Sequence, residues 1–349
     1  MATSQFTVYS SYDVSAPSLT GLSGSLLDVL DGCLVNGYGS KVAAGWTKPL
    51  ANSASMGCYK QPSGSLCTLF INDAAPSGST TSGTRQAFAT GYTSLTGYTG
   101  SLSGIGFGQF PATGQPFPTV SSGGTPSGSL WWRKSVNADS TTRQWVLYAD
   151  AWTFYLFVIT GDTAGVYCAY WFGDIFSLSP TDTSKCIIRG READSTTLSA
   201  QSDTGDLLHL PNVNSSNDYS GFISNNFSGR GSSTPVIQVG DLGKGSPATR
   251  AVIGGSTAIC GPMSGVMTVS NPIDNSLYMT PVWVGEQGVS ALRGRYRGMY
   301  HLCHPITNFA DGQIFSGANE YAGKQFQVVK TGPTSGMWVL EISNTVETN

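Results

Sequence analysis

Residues 143–178, RQWVLYADAWTFYLFVITGDTAGVYCAYWFGDIFSL, constrain the chain more than any other stretch. Between Trp145 and Phe172 the only charged residues are Asp150 and Asp162, and both fall where a chain would reverse, at Asp150-Ala-Trp and at Gly161-Asp162-Thr163. The spacing predicts three antiparallel strands over about 143–149, 153–160 and 165–172. Their residues are aromatic and β-branched, which suits a pleated, packed surface. Apolarity that is nearly continuous, rather than alternating, means that both faces of these strands are covered, so they belong at the centre of a sheet. Gly173-Asp174 then breaks the run, as a bulge or corner would.

The rest of the chain agrees with a β-rich protein. Charged residues are only 11% of the 349, yet 8 Trp, 15 Tyr and 15 Phe exclude a disordered polymer. Gly, Ser and Thr between short apolar runs predict many turns between short strands. One helix is expected near 24–35. Ser23 or Ser25 can cap it, Leu26, Leu30, Cys33 and Leu34 share a face, and Gly37 stops it. The expected fold is therefore all-β, mainly antiparallel sandwich or barrel-like sheets, with that helix and long Gly/Ser/Thr-rich loops. Three regions are expected: an extended arm over 1–22, a β-rich lobe over 23–190 and a second β-rich lobe over 191–349. Residues 85–128 are predicted to hold edge strands and surface loops. In the last lobe seven strands are expected, in PVIQVG, RAVIGG, SGVMTVS, SLYMTPVWVGE, RYRGMYHLCH, GKQFQVVK and GMWVLEIS.

A formal net charge of −3 argues against wrapping nucleic acid through a basic face. No run of 18 apolar residues is present, so no membrane span is expected. The first residues lack the pattern of a signal peptide, which predicts assembly in a cytosol. Seven cysteines without C-x-x-C spacing favour reduced, buried thiols. Cys58 and Cys67 flank YKQPSGSL, and a two-residue turn at Pro62-Ser63 would set them opposite each other; two free thiols is the favoured alternative.

Few residues invite chemistry. Arg293, Arg295 and Arg297 are spaced to share one face of a strand with Met299, His301 and Cys303. Three like charges side by side repel, so the ladder predicts anions opposite. The chain shows few clustered acids, and some of the carboxylates are expected to come from another subunit, making the ladder a protein–protein interface. His301, Cys303 and His304 cannot all chelate from a regular strand, and no metal is expected there. Gly104–Gly108 and Gly37–Lys41 lack dinucleotide- and phosphate-loop spacing. There is no G-x-S-x-G, and His209, His301 and His304 have no inferable catalytic partner. Asp73, Asp174, Asp206 and Asp311 read as turn formers rather than calcium ligands, since no D-x-D-x-D-G loop exists. No cofactor is expected. Trp131 and Trp132 could pack against sugar rings, though core packing of at least one is the better reading.

Several stretches resemble a known family. Tyr9–Gly21, Leu27–Lys41, Ala44–Pro49 (AGWTKP), Trp145–Thr163, Gly173–Ser177, Leu277–Glu286, Leu292–His304, Asp311–Gly317 (DGQIFSG), Gly323–Val329 and the terminal ISNTVETN are together similar to virion structural proteins of tailed double-stranded-DNA bacteriophages. These are encoded among head and tail morphogenesis genes and have no assigned activity. The resemblance implies a non-enzymatic virion component, at tail, neck or baseplate or as a head decoration. Its partners would be other virion proteins and copies of itself. A receptor- or glycan-binding module of the virion surface is the alternative, and a polysaccharide-cleaving enzyme, which would need a carboxylate pair in a cleft, is the third reading.

Overall fold

A computed structural model describes residues 6–53, 55–74, 85–99, 104–111, 129–161, 167–190, 221–225, 236–239, 273, 275–286, 292–302, 309–330 and 337–342. The first part of the chain holds β1 (Thr7–Ser10), helix α1 (Ser25–Leu30), β2 (Met56–Lys60), β3 (Thr68–Asn72), β4 (Gln86–Tyr92), β5 (Ser94–Tyr98) and β6 (Gly104–Phe107). The middle holds β7 (Leu130–Arg133), β8 (Gln144–Ala149), β9 (Thr153–Ile159), β10 (Cys168–Asp174), β11 (Phe176–Ser177) and β12 (Cys186–Arg189). Then follow β13 (Gly221–Ile223), β14 (Val236–Val239), β15 (Met279–Glu286), β16 (Leu292–Leu302), β17 (Ile314–Ser316), β18 (Gln325–Lys330) and β19 (Met337–Ile342). Among the described residues the protein is mostly β, with several antiparallel sheets and one short α-helix, as the composition and patterning predict.

The architecture is layered around residues 143–178. The central sheet runs β1-β8-β9-β10-β12-β13. Along β9, Phe154, Leu156 and Val158 enter one core while Tyr155 and Phe157 enter another. Tyr170 and Phe172 of β10 likewise face away from Ala169 and Trp171. Two-sided burial is thus the physical cause of the unbroken apolar run. One face meets α1 and the four-stranded sheet β2-β3-β4-β7; the other meets the larger sheet whose main path is β14-β15-β16-β19-β18-β17. Pairing along β10 continues through Gly173 (φ 141°), whose Cβ would strike the Thr153 backbone. The corner comes after Asp174, where the chain leaves the central sheet and β11 pairs with β16.

Several expectations need correction. The boundary at 191 is not structural: β13 completes the central sheet, β11 belongs with β16, and one core takes in Tyr148, Trp171, Val282 and Trp338 alike. The described part of the 1–22 arm is integrated too. β1 pairs with β8, and Phe6 bridges Ile342 in parallel, joining the two large sheets. Within 85–128, β4 is an interior strand buried at every residue; Gly91 lets the Phe110 ring lie against its backbone. β5 and β6 pair with each other as a separate two-stranded ribbon. Neither serine caps α1 as expected. Ser25 Oγ instead donates to the carbonyls of Thr20 and Leu22, and the Leu26 amide donates to Asp73 Oδ2. A π-helical stretch, Asp31–Asn36, extends α1, and Gly37 (φ 76°) ends it as predicted. RAVIGG and SGVMTVS lie outside the described residues.

The β2–β3 register sets Cys58 opposite Phe70, and the Gln61 amide bonds Cys67 carbonyl, so the connection is longer than a two-residue turn. Cys58 and Cys67 belong to different cores, and the five described cysteines are buried and joined by no disulfide.

Candidate functional site

The arginine ladder is where the structure departs furthest from expectation. β16 is an interior strand, flanked by β15 and β19, with β11 against its first half. Tyr296 points into the core below, edge-on to Trp171, which sends its alternating neighbours Arg295 and Arg297 toward the seam where the chain crosses between sheets. Arg293 is 4% exposed. Its Nε and Nη2 donate to the two oxygens of Asp182 at 2.8 Å each, and Nη1 donates to Glu286, itself fully buried. Burial alone would raise the Asp182 carboxyl. Hydrogen bonds from Ser177 and the Ser184 amide, with the Arg293 guanidinium, outweigh that and hold it below the usual range.

Arg297 donates to Asp150 Oδ2 at 3.1 Å and stacks over Phe176 and Trp152, 4.4 and 4.9 Å from the ring centroids. Asp150 Oδ1 meanwhile accepts the Trp152 and Thr153 amides that form the β8–β9 turn. Arg295, half-buried, also lies over Phe176 at 5.3 Å. The expectation that another subunit would supply some of the compensating carboxylates is corrected at Arg293 and Arg297, which pair with acids of this chain. The physical reason is topological, since β11 and the β8–β9 turn carry distant acids to β16. Chemically the cluster clamps two sheets together through bidentate and stacked guanidinium contacts.

The tryptophan reading is corrected as well. Trp132 is fully buried, stacked on Tyr170 at 5.3 Å, with its indole N–H donating to Arg189 carbonyl. Trp131 is 4% exposed and meets Phe88 edge-on at 5.2 Å. Neither ring offers a face to a sugar. His301 pairs through its backbone with Thr280 and Trp338, while Cys303 and His304 lie outside the described residues.

Two buried acids escaped the sequence reading, which took them for turn formers. Asp174 accepts hydrogen bonds from Gln61 Nε2 and the Ser65 amide, pinning the β2–β3 connection to the central sheet, and burial raises its carboxyl. Asp73 pairs with Lys134, their side chains 0% and 1% exposed. Nothing local in the sequence signals either pairing, because each joins segments distant along the chain. Asp311 does shape its loop: its carboxylate accepts the Lys330 amide and the Tyr167 hydroxyl. Asp206 lies outside the described residues.

Exposed large apolar residues are scattered over the described surface, among them Leu22, Leu66, Leu178, Ile273 and Ile314, and two sets lie on neighbouring backbone. Tyr12, Val14 and Val42 are 74–83% exposed, on loops tied together by Tyr9 hydroxyl to Val42 carbonyl, Tyr38 hydroxyl to Asp13 and the Lys41–Asp13 pair. Ile105 and Phe107 lie outward on β6. No helix among the described residues is long and apolar enough to cross a membrane. No known protein-family profile matches the chain, and no curated protein matches it.

Proposed function

We propose that the chain is a non-enzymatic structural component of a tailed-phage virion, placed in the tail, neck or baseplate or on the head as a decoration, and assembling through protein–protein contacts. The observation that carries this reading is the exposed apolar tract Tyr12, Val14 and Val42 on two loops that the fold holds in place. Singly scattered apolar residues are ordinary on a surface. Large ones grouped on braced loops favour a partner that covers them. The interior supports the same reading, because its charged side chains clamp sheets together, which suits a stiff building block. The sequence resemblance supplies the particle. The partners would be other virion proteins and further copies of the chain, and symmetric assembly is the default for one repeated subunit.

The test is immunogold labelling of purified particles of the phage that carries the gene, with mass spectrometry of the same particles. Label at one fixed position on each particle is expected. Absence of the protein from purified particles would end the proposal.

A further inference from the structure

Asp73 and Lys134 are held together differently from the other ion pairs. Asp73 follows β3, and Lys134 follows β7; β4 lies between those strands in the four-stranded sheet. Both backbones are fixed, by the Asp73 amide to Ser55 carbonyl at 2.7 Å and the Lys134 amide to Arg85 carbonyl at 2.9 Å. Lys134 Nζ lies 2.5 Å from Asp73 Oδ1, yet Oδ1 accepts no well-aligned hydrogen bond. The other groups around the pair are well placed. Nζ donates to Leu22 carbonyl at 2.6 Å and reaches Ser25 Oγ at 3.4 Å, and Oδ2 accepts the Leu26 amide at 3.0 Å.

We propose that Lys134 and Asp73 condense into an intramolecular amide bond, making this pair a self-modification site that ties β3 covalently to β7. The chemistry needs no oxidant or external reagent. A proton passes from the ammonium Nζ to Oδ1, giving a neutral amine and a carboxylic acid. The Nζ lone pair attacks Cγ, and the Leu26 amide stabilises the oxyanion that develops on Oδ2. The Cγ–Oδ1 bond then breaks, and Oδ1 leaves as water with a second proton from Nζ. The product keeps one N–H and one carbonyl oxygen, and both already have partners, Leu22 carbonyl and the Leu26 amide. The atom that departs is the one oxygen of the pair without a well-aligned hydrogen bond. Burial favours the neutral, reactive forms on both sides: it raises the Asp73 carboxyl to about 6 and lowers the Lys134 ammonium. Enclosure also holds Nζ against the Asp73 carboxyl, which replaces an encounter with a unimolecular step.

The inference stands whether or not the chain is a virion subunit. It is tested on the purified full chain, held folded for a day and then denatured for intact-mass measurement. The expected mass is one water below that of the sequence, and digestion with trypsin should yield a branched peptide joining residues 61–85 to 134–143, because an acylated Lys134 is not cut. Lys134→Arg and Asp73→Ala should both show the full mass. The denatured measurement does not require either variant to fold, and the wild-type branched peptide decides the matter alone. A wild-type chain at full mass would overturn the proposal. So would a water loss that survives in Lys134→Arg or maps to a cyclised aspartate with Lys134 still cut by trypsin.

Discussion

The seam around Arg293 and the pair at Asp73 both bury charge in the interior, but they solve the problem in opposite ways. Arg293 faces two carboxylates and a carbonyl, and its planar fork meets Asp182 bidentately. The Asp182 carboxyl is held below its usual range by hydrogen bonds from Ser177, the Ser184 amide and the Arg293 guanidinium, which outweigh its burial. At Asp73 one ammonium meets one carboxylate in a drier place, and desolvation acts on both toward neutrality. A multidentate arginine network is an electrostatic clamp, whereas an isolated buried Lys–Asp contact is a place where protons and bonds can move.

The largest effect that tests this contrast is removal of the clamp. Arg293→Ala would remove the guanidinium that Glu286 and Asp182 share, one of them fully buried. Breaking a buried pair from one side costs roughly 3–5 kcal/mol. Denaturant unfolding should show a loss of that size, and Arg293→Lys should recover only part of it, because an ammonium cannot grip Asp182 in two places. A loss under about 1 kcal/mol would make the seam merely solvated surface charge.

Arg297→Ala comes next. It removes one carboxylate contact and stacking on two rings, Phe176 and Trp152. A loss of about 2–3 kcal/mol is expected, from one charge-assisted hydrogen bond and partly desolvated cation–π contact. Arg297→Lys separates the two terms, since it keeps the charge and gives up the planar stack.

How far the sequence foretold these regions follows from range. The central strands were legible because period and turn signals are local: Asp150 caps its own turn with two amides, and Phe154 and Tyr155 advertise two covered faces. The clamp was half legible. The alternation of arginines on one face was plain, but Asp182 and Asp150 lie 111 and 147 residues from their partners. The passage of β11 from one sheet to the other brings Asp182 near, and the β8–β9 turn brings Asp150. Asp73 and Lys134 gave no signal, since each looks like an ordinary polar strand end. Strand β4 was misjudged because small residues at Ala87, Ala89 and Gly91 resemble loop composition, whereas in the fold they make room for neighbours such as Phe110.

Acid response sharpens the comparison with a smaller effect. Folding lowers the Asp182 carboxyl below its unfolded value near 4. The unfolded chain therefore binds more protons than the folded one in that range. The stability from Asp182 is present above about pH 4 and is lost as pH falls through the folded value. The melting temperature of wild type relative to Asp182→Asn should fall in that window. A free Asp73 carboxyl does the reverse. Raised to about 6, it adds stability that is full below about pH 4 and lost as pH rises through 6. Once condensed into an amide it cannot titrate, so a chain with the mass deficit should show no contribution from Asp73 between pH 4 and 6. Comparing wild type with Lys134→Arg over that interval exposes the difference.

The smallest expected effect is at Arg295, the middle rung. It is half-buried, where Arg293 is nearly enclosed, and its guanidinium lies 5.3 Å from the Phe176 ring, farther than that of Arg297 at 4.4 Å. A cation over an aromatic face with solvent access contributes about 0.5–1 kcal/mol. Arg295→Ala should therefore leave the isolated chain folded, with a shift in denaturant midpoint near the low end of what unfolding curves resolve. That small cost makes Arg295 the useful probe of assembly, because a variant that unfolds almost as wild type does separates a fault in assembly from a fault in folding. Incorporation of Arg295→Ala into particles is the second measurement. Normal incorporation together with the small stability loss assigns the whole ladder to the internal clamp. Failed incorporation of a chain that unfolds almost as wild type does would place this one arginine at a contact between subunits, flanked by two that work within.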